Sequence, residues 1–335
     1  MNNDLKSMPQ RFRLESVDFW LARFEKKIDV LASNGNSPRK MSETSLALPT
    51  SVDNKPAYSA TTPDYDSNAE PQIYLRTLLE FLLQYYDDCM TCLTPGIVTL
   101  FPMLIEYANE DESESNESFK DIDIRNNASL LVHEYMSSLL VNMKFAESFL
   151  DVVLKTFHRS CLWRVRVSVL KFLQVIVFSN IYVLEKFRIP EKVIHLLFDS
   201  LRDRQVEVRL EAARCLLTLI HCEYTKIDKF LVDKIRSYAE SRDRATLHGA
   251  VLSMGAVVMA HPYSTPLYLI PMLRSLCAIT SHSAELQAML LQKAATAALR
   301  EFRRSHRDNW EKTGTIIGSQ LVYKIENAIA PIYYA

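Results

Sequence analysis

The side chains of this chain that could do chemistry are scattered rather than assembled. Cys89 and Cys92 form a lone Cys-x-x-Cys with no second pair and no nearby pair of histidines. Helix-core or surface thiols suit that pattern better than a zinc site or a redox dithiol. His221-Cys222 falls at an expected helix end, where a histidine meets the negative pole of the helix dipole. The other histidines, at 133, 158, 195, 248, 261, 282 and 306, show no His-Glu-x-x-His or other ligand spacing. No Gly-x-Ser-x-Gly or Cys–His arrangement marks a nucleophile, and the six glycines build no phosphate-cradling loop. No catalytic residue, cofactor or metal is therefore expected, and nothing points to an enzyme. Two binding elements remain. Arg300, Arg303, Arg304, His306, Arg307 and Lys312 form a basic cluster at the end of the last long helical pattern. It can contact a phosphate-bearing or acidic partner, or it can satisfy a helix C-terminus with Trp310 folded back as a stopper. The chain ends in Tyr333-Tyr334-Ala335, where aromatic rings can fill a pocket while the terminal carboxylate meets a cation or backbone N–H groups.

Pro331 stiffens the approach to that ending. Two glycines within Glu311–Ala330 suggest a short adjustable arm from the last helix, so 311–335 is read as a tail-bearing segment. The body behind it is all-helical in composition: 48% hydrophobic with scarce glycine. Residues 1–32 hold one helical pattern, and Met1–Lys6 has no apolar core of the signal-peptide kind. Residues 33–71 carry five prolines among Ser, Thr, Asn and Asp and read as a disordered linker. From 72 to 310 the pattern is helical, broken by a solvated acidic loop over 110–117. Thr94-Pro95 is a helix start, with Thr94 as N-cap.

A period decides the fold. Arg125, Arg166 and Arg209 each follow the opening of an apolar helix, at spacings of 41 and 43 residues, and Leu247-His248 continues the series. A first helix precedes each, and Asp203 stands where it could cap the helix that carries Arg209. Repeats of this length made of two helices are HEAT-like, so the expected fold is an α-solenoid of stacked helix pairs. The net charge of −1 argues against bulk or sequence-specific nucleic-acid binding, and no apolar run is long enough to span a bilayer. The six cysteines read as buried free thiols of a reducing compartment, nucleus or cytoplasm.

With those elements in place, the phrase Phe302-Arg303-Arg304-Ser305-His306-Arg307-Asp308-Asn309-Trp310, followed by a terminal Tyr-Tyr-Ala, resembles the C-terminus of proteasome activator complex subunit 4. That is a family of large, ATP-independent HEAT-repeat activators. Phe172–Val175, Val206–Arg209, Ala212-Ala213 and His248–Ala256 with Pro262-Tyr263 extend the likeness, which covers about 150–335 well and 71–149 loosely. The resemblance implies a partner, the outer-ring subunits of the proteasome core, with a tail that enters a pocket there. Ala335 would present its carboxylate to a lysine, Tyr334 would hydrogen-bond near the gate and Tyr333 would supply apolar contact. It also implies an acetyl-lysine-reading segment with acetylated histones as partners, hence nuclear roles including DNA repair. The Asn-Phe pair of that segment aligns with Glu223-Tyr224, where a carboxylate replaces the amide donor. Family members are several times longer, so this chain corresponds to their C-terminal part. The alternatives to a proteasome-docking segment are a chromatin-binding HEAT scaffold and an importin-like or phosphatase-scaffold adaptor.

Overall fold

The computed structural model describes residues 69–89, 92–109, 122–186, 189–280 and 288–330. The expectations for residues 1–32, most of 33–71 and the acidic 110–117 lie outside these. The chain divides into two compact units, Met1–Gln84 and Tyr85–Ala335. Helix α1 (Ala69–Cys89) crosses that division. It starts two residues before Pro71, which sits in the first turn, where a missing N–H costs nothing. In its first-unit part Leu78, Leu79 and Leu82 are buried.

The second unit is built from helix pairs. The first helices are α2 (Pro95–Ala108), α4 (Ala146–Arg159), α7 (Ile189–Ser200), α9 (Lys229–Ala239) and α11 (Leu269–Thr280). Their partners are α3 (Ile122–Leu130, running on into a π turn over Leu131–Met136), α5 (Trp163–Ser179), α8 (Val206–His221), α10 (Arg244–Met259) and α12 (Ala288–Ser305). A short α6 (Ile181–Leu184) follows α5. The second helices form a continuous row, π turn to α5 to α8 to α10 to α12, while α2, α4 and α7 neighbour one another on the other layer. Among the described residues there is no strand, only an isolated bridge between Cys92 and Leu140. The fold is an all-α solenoid, as the period required.

Each helix forms because its apolar residues recur at three and four and so line one side. On α8 the expected stripe of Ala212, Ala213, Leu216, Leu219 and Ile220 is buried. On α10 the burial runs all round, because α8, α9, α11 and α12 surround it. Close approach there depends on small residues. At Gly249 an added Cβ would overlap the Leu201 carbonyl, and at Gly255 it would lie 3.1 Å from the Ala298 methyl.

The repeat length is also the reach of the polar side chains that join one repeat to the next. Where first helix turns into second, Arg166 donates to the Ser160 and Cys161 carbonyls of its own turn, both at 3.1 Å, and bidentately to Asp203, at 2.8 and 3.1 Å. Arg209 repeats the device, gripping the Asp203 and Arg204 carbonyls and donating from Nε to His248 Nδ1 at 3.0 Å. Asp203 thus does not cap α8. The N-cap residue is Gln205, without a side-chain cap bond, and the Asp203 carboxylate is held by Arg166 and the Gln205 N–H. Thr94 likewise takes the N-cap place without making a cap bond. At the opposite edge, where second helix turns into first, Asn180 donates to the Leu139 carbonyl and accepts from the Val141 N–H. Tyr224 donates to the Leu184 carbonyl at 2.8 Å.

Candidate docking site at the C-terminal end

Tyr333, Tyr334 and Ala335 lie outside the described residues, and so does Pro331. What the structure does show is the platform from which they depart. Helix α12 buries Ala295, Ala298, Leu299 and Phe302 on the side facing α10 and α11. It ends at Ser305, whose hydroxyl donates back to the Phe302 carbonyl at 3.1 Å. A single 3₁₀ turn over Arg307–Asn309 then reverses the chain into α13 (Trp310–Ile317), and α14 (Ser319–Ile329) follows.

Trp310 locks this corner. Its ring stands edge-on to Phe302, with centroids 6.2 Å apart, and the Arg303 guanidinium lies 4.4 Å above it. The indole N–H donates to Glu326 Oε1 at 3.2 Å, so one side chain ties α12 and α13 to α14. His306 is buried, at 2% exposure, against Phe302, with its ring nitrogens 3.0 Å from the Phe302 carbonyl and 3.2 Å from the Ser264 carbonyl. That second contact repeats the edge stitching between the last two repeats. Nearby His261 meets the Tyr268 hydroxyl at 2.7 Å. Burial first, then His221 and His306, hold His261 below the ordinary imidazole pKa.

The basic cluster is divided between packing and surface. Arg303 covers Trp310, Arg304 pairs with Glu301, and His306 is inside the fold. Arg300, Arg304, Arg307 and Lys312 are exposed. Trp310 does fold back onto the helix end.

The stretch expected to be an adjustable arm is two packed helices. Gly314 lies within α13, where an added Cβ would come 3.3 Å from Val322. Gly318 is the joint, at φ +89°, a conformation that L side chains rarely adopt. Leu321 and Ile325 bury α14 against α11 and α12. Glycine had suggested flexibility, while the apolar spacing Leu321, Val322, Ile325, Ile329 carried the helical signal. Helix α14 closes with the Ala330 N–H on the Glu326 carbonyl at 3.0 Å, and Ala330 turns the chain into extended backbone. The tail thus begins one residue beyond a fixed helix end. Gly318→Ala, with open space around the new methyl, should cost only backbone strain, about 1–3 kcal/mol, read as a lowered thermal midpoint.

Glu223 and Tyr224 are brought together at the turn after α8, but not as the walls of a pocket. Glu223 is exposed in the left-handed region at φ 60°. Tyr224 is buried, its hydroxyl committed to Leu184, and burial pushes its pKa up. Of the Cys-x-x-Cys, Cys92 is an exposed free thiol. No group of three His, Cys, Asp or Glu able to hold a metal occurs among the described residues. No described helix is long and apolar enough to cross a membrane. Distant partners such as Asn180 and Glu326 have no local sequence signature, because the groups that show their role lie about 40 positions away for Asn180 and 16 for Glu326.

Comparison with known proteins shows what the platform is similar to. Residues 244–335, from the start of α10 onward, match the family described as "Proteasome activator complex subunit 4-like, C-terminal". Proteasome activator complex subunit 4A of Danio rerio is 25% identical over 293 residues, 81% of this chain. The Homo sapiens subunit 4 is 27% identical over 282 residues, and the Arabidopsis thaliana proteasome activator subunit 4 is 27% identical over 287, each covering 78% of this chain. This chain spans about 15% of the length of the Danio and human relatives. Among solved structures, a crystal structure of an engineered protein covers 68% of this chain at 16% identity and a TM-score of 0.32, too slight a likeness to bear on the fold. Over residues 244–335 this chain is similar to the C-terminal portion of the proteasome activator complex subunit 4 family.

Proposed function

We propose that this chain is the docking end of a proteasome activator, with no chemistry of its own. Its tail, Tyr333-Tyr334-Ala335, enters a pocket between outer-ring subunits of the proteasome core and favours the open gate. The observation that carries this reading is the family match over residues 244–335, which takes in the locked corner, α14 and the tail together. The physical role of the corner is preorganisation. A helix held by Trp310, Leu321 and Ile325 starts the tail from a fixed point, so fewer degrees of freedom must be frozen on docking. From there, a chain of five residues can span at most roughly 17 Å. A tail of this size opens a two-state gate only by binding the open state better than the closed one. Degradation would then need neither ATP nor ubiquitin, in whichever of nucleus and cytoplasm the core is met.

Removal of Ala335, or Tyr334→Ala, is expected to abolish co-sedimentation with the core particle and stimulation of fluorogenic-peptide cleavage. Thermal unfolding should be unchanged, because α14 ends before the tail. Retention of both activities by both variants would exclude tail docking.

A further inference from the structure

The turns that join first to second helices carry a repeated tripeptide, Arg202-Asp203-Arg204 and Arg242-Asp243-Arg244. In both copies the central carboxylate is engaged within the chain, Asp203 half-buried and Asp243 exposed. Asp203 is held by Arg166, and Asp243 caps α10 by accepting from the Thr246 N–H at 2.9 Å and the Thr246 hydroxyl at 2.6 Å. The flanking arginines face solvent. Arg202 leans over the Tyr238 ring at 5.7 Å, whereas Arg204, Arg242 and Arg244 have no side-chain hydrogen bond or ion pair among the described residues. The two turns are adjacent, since Asp243 senses the charge of Arg202, and Arg209, which grips the first turn, senses Asp243.

Arg204, Arg242 and Arg244 stand at or just before helix starts, where the backbone dipole favours anions and repels Lys and Arg. With Asp203 held by Arg166 and Asp243 committed to the α10 cap, no side-chain hydrogen bond or ion pair among the described residues holds Arg204, Arg242 or Arg244. A local rule broken without a compensating contact marks a functional surface. We propose that this edge of the solenoid binds an extended acidic polypeptide segment carrying a carboxylate at about every third residue. Neighbouring helices pack about 8–10 Å apart, and an extended chain rises about 3.3 Å per residue, so one arginine pair follows the next after about three peptide residues. Each pair can fork onto a carboxylate. Exposed Asp199, Glu207, Glu240 and Asp243 punctuate the edge, so its positive charge comes in separate foci. A polyphosphate, charged every few ångströms, would be set against those acids. A peptide can leave neutral residues opposite them.

The inference does not rest on the tail, and one experiment keeps the two apart. A fluorescein-labelled 12-residue peptide with Glu at every third position and Gly or Ser elsewhere is titrated into the full chain at low salt and followed by anisotropy. Saturable binding is expected, several-fold tighter than for a peptide of equal composition with contiguous Glu. Tyr334→Ala should leave it unchanged. Arg204→Ser with Arg244→Ser should weaken it about tenfold, with the thermal midpoint unmoved because neither side chain has a partner to lose. The proposal is overturned if the spaced peptide fails to saturate, or if the double variant binds it like the wild type. It is also overturned if tripolyphosphate binds more tightly than the peptide with the same dependence on Arg204 and Arg244, which would reassign the edge to phosphate.

Discussion

Gly249→Ala is expected to lower the thermal unfolding midpoint by roughly 10 °C, the signature of about 3 kcal/mol of overpacking in a domain of this size. The new methyl would overlap the Leu201 carbonyl oxygen and lie 2.9 Å from its carbon. Both are backbone atoms at the end of α7, pinned by the Leu201 N–H on the Leu197 carbonyl. On the other side of the contact, His248, next to Gly249, is held by Arg209. Relief therefore requires α10 to withdraw from the repeat before it. Gly255→Ala is the control on the same helix. Its methyl would meet only the Ala298 methyl at 3.1 Å, which can yield by a few tenths of an ångström, so a much smaller drop is expected. Equal midpoints for the two variants would show that the α7–α10 approach is not what sets the spacing.

The second large effect is a loss of stability in mild acid. Burial, and then the Arg209 charge, lower the His248 pKa from 6.5 to about 4. The ring is neutral in the fold because Nδ1 accepts from Arg209 Nε. The unfolded chain therefore takes up a proton at His248 that the folded chain refuses. The contribution is complete above about pH 6.5 and drains away as the pH falls toward 4, by roughly 3 kcal/mol in all. His133, lowered mainly by burial and next by Lys171, loses stability in the same direction. His248→Gln keeps an acceptor for Arg209 but cannot titrate. Chemical denaturation at pH 7 and pH 4.5 should show a clearly smaller difference for this variant than for the wild type. If the two pH dependences coincide, the Arg209–His248 bond is not the acid-labile element.

How much of this could be read from the residues follows from how far each interaction reaches. The solenoid was legible because Arg166, Arg209 and His248 recur with the repeat, and the structure shows why they must. Each arginine satisfies carbonyls of its own turn and reaches one repeat onward. The role of Asp203 was misjudged for the same reason. Local propensity offered it as a cap, but Arg166, 37 residues away, competes for its carboxylate and wins with a two-pronged ion pair. At Gly318 the sequence shows a glycine and the structure a joint. The residue gives the backbone freedom to adopt a rare angle, and the packing of Leu321 and Ile325 then uses that freedom once. In the basic cluster, charge was visible and burial was not. Nothing in Phe302–Trp310 announces that His306 lies inside the fold while Arg307, its neighbour, faces water.

The stitches along both edges of the second unit have a mechanical meaning. A stack fastened at one edge can open like a fan about the other. In this one, Arg166 and Arg209 fasten the first turns, while Asn180, Tyr224 and His306 fasten the opposite turns. Between the α4–α5 and α7–α8 repeats, which Arg166 and Tyr224 fasten at opposite edges, splaying in either direction must break a buried or half-buried polar bond. Trp310 and Glu326 extend the fastening to α14. A pull applied beyond Ala330 would thus be passed into the row of second helices as a load on a stiff beam rather than absorbed by a hinge near the end.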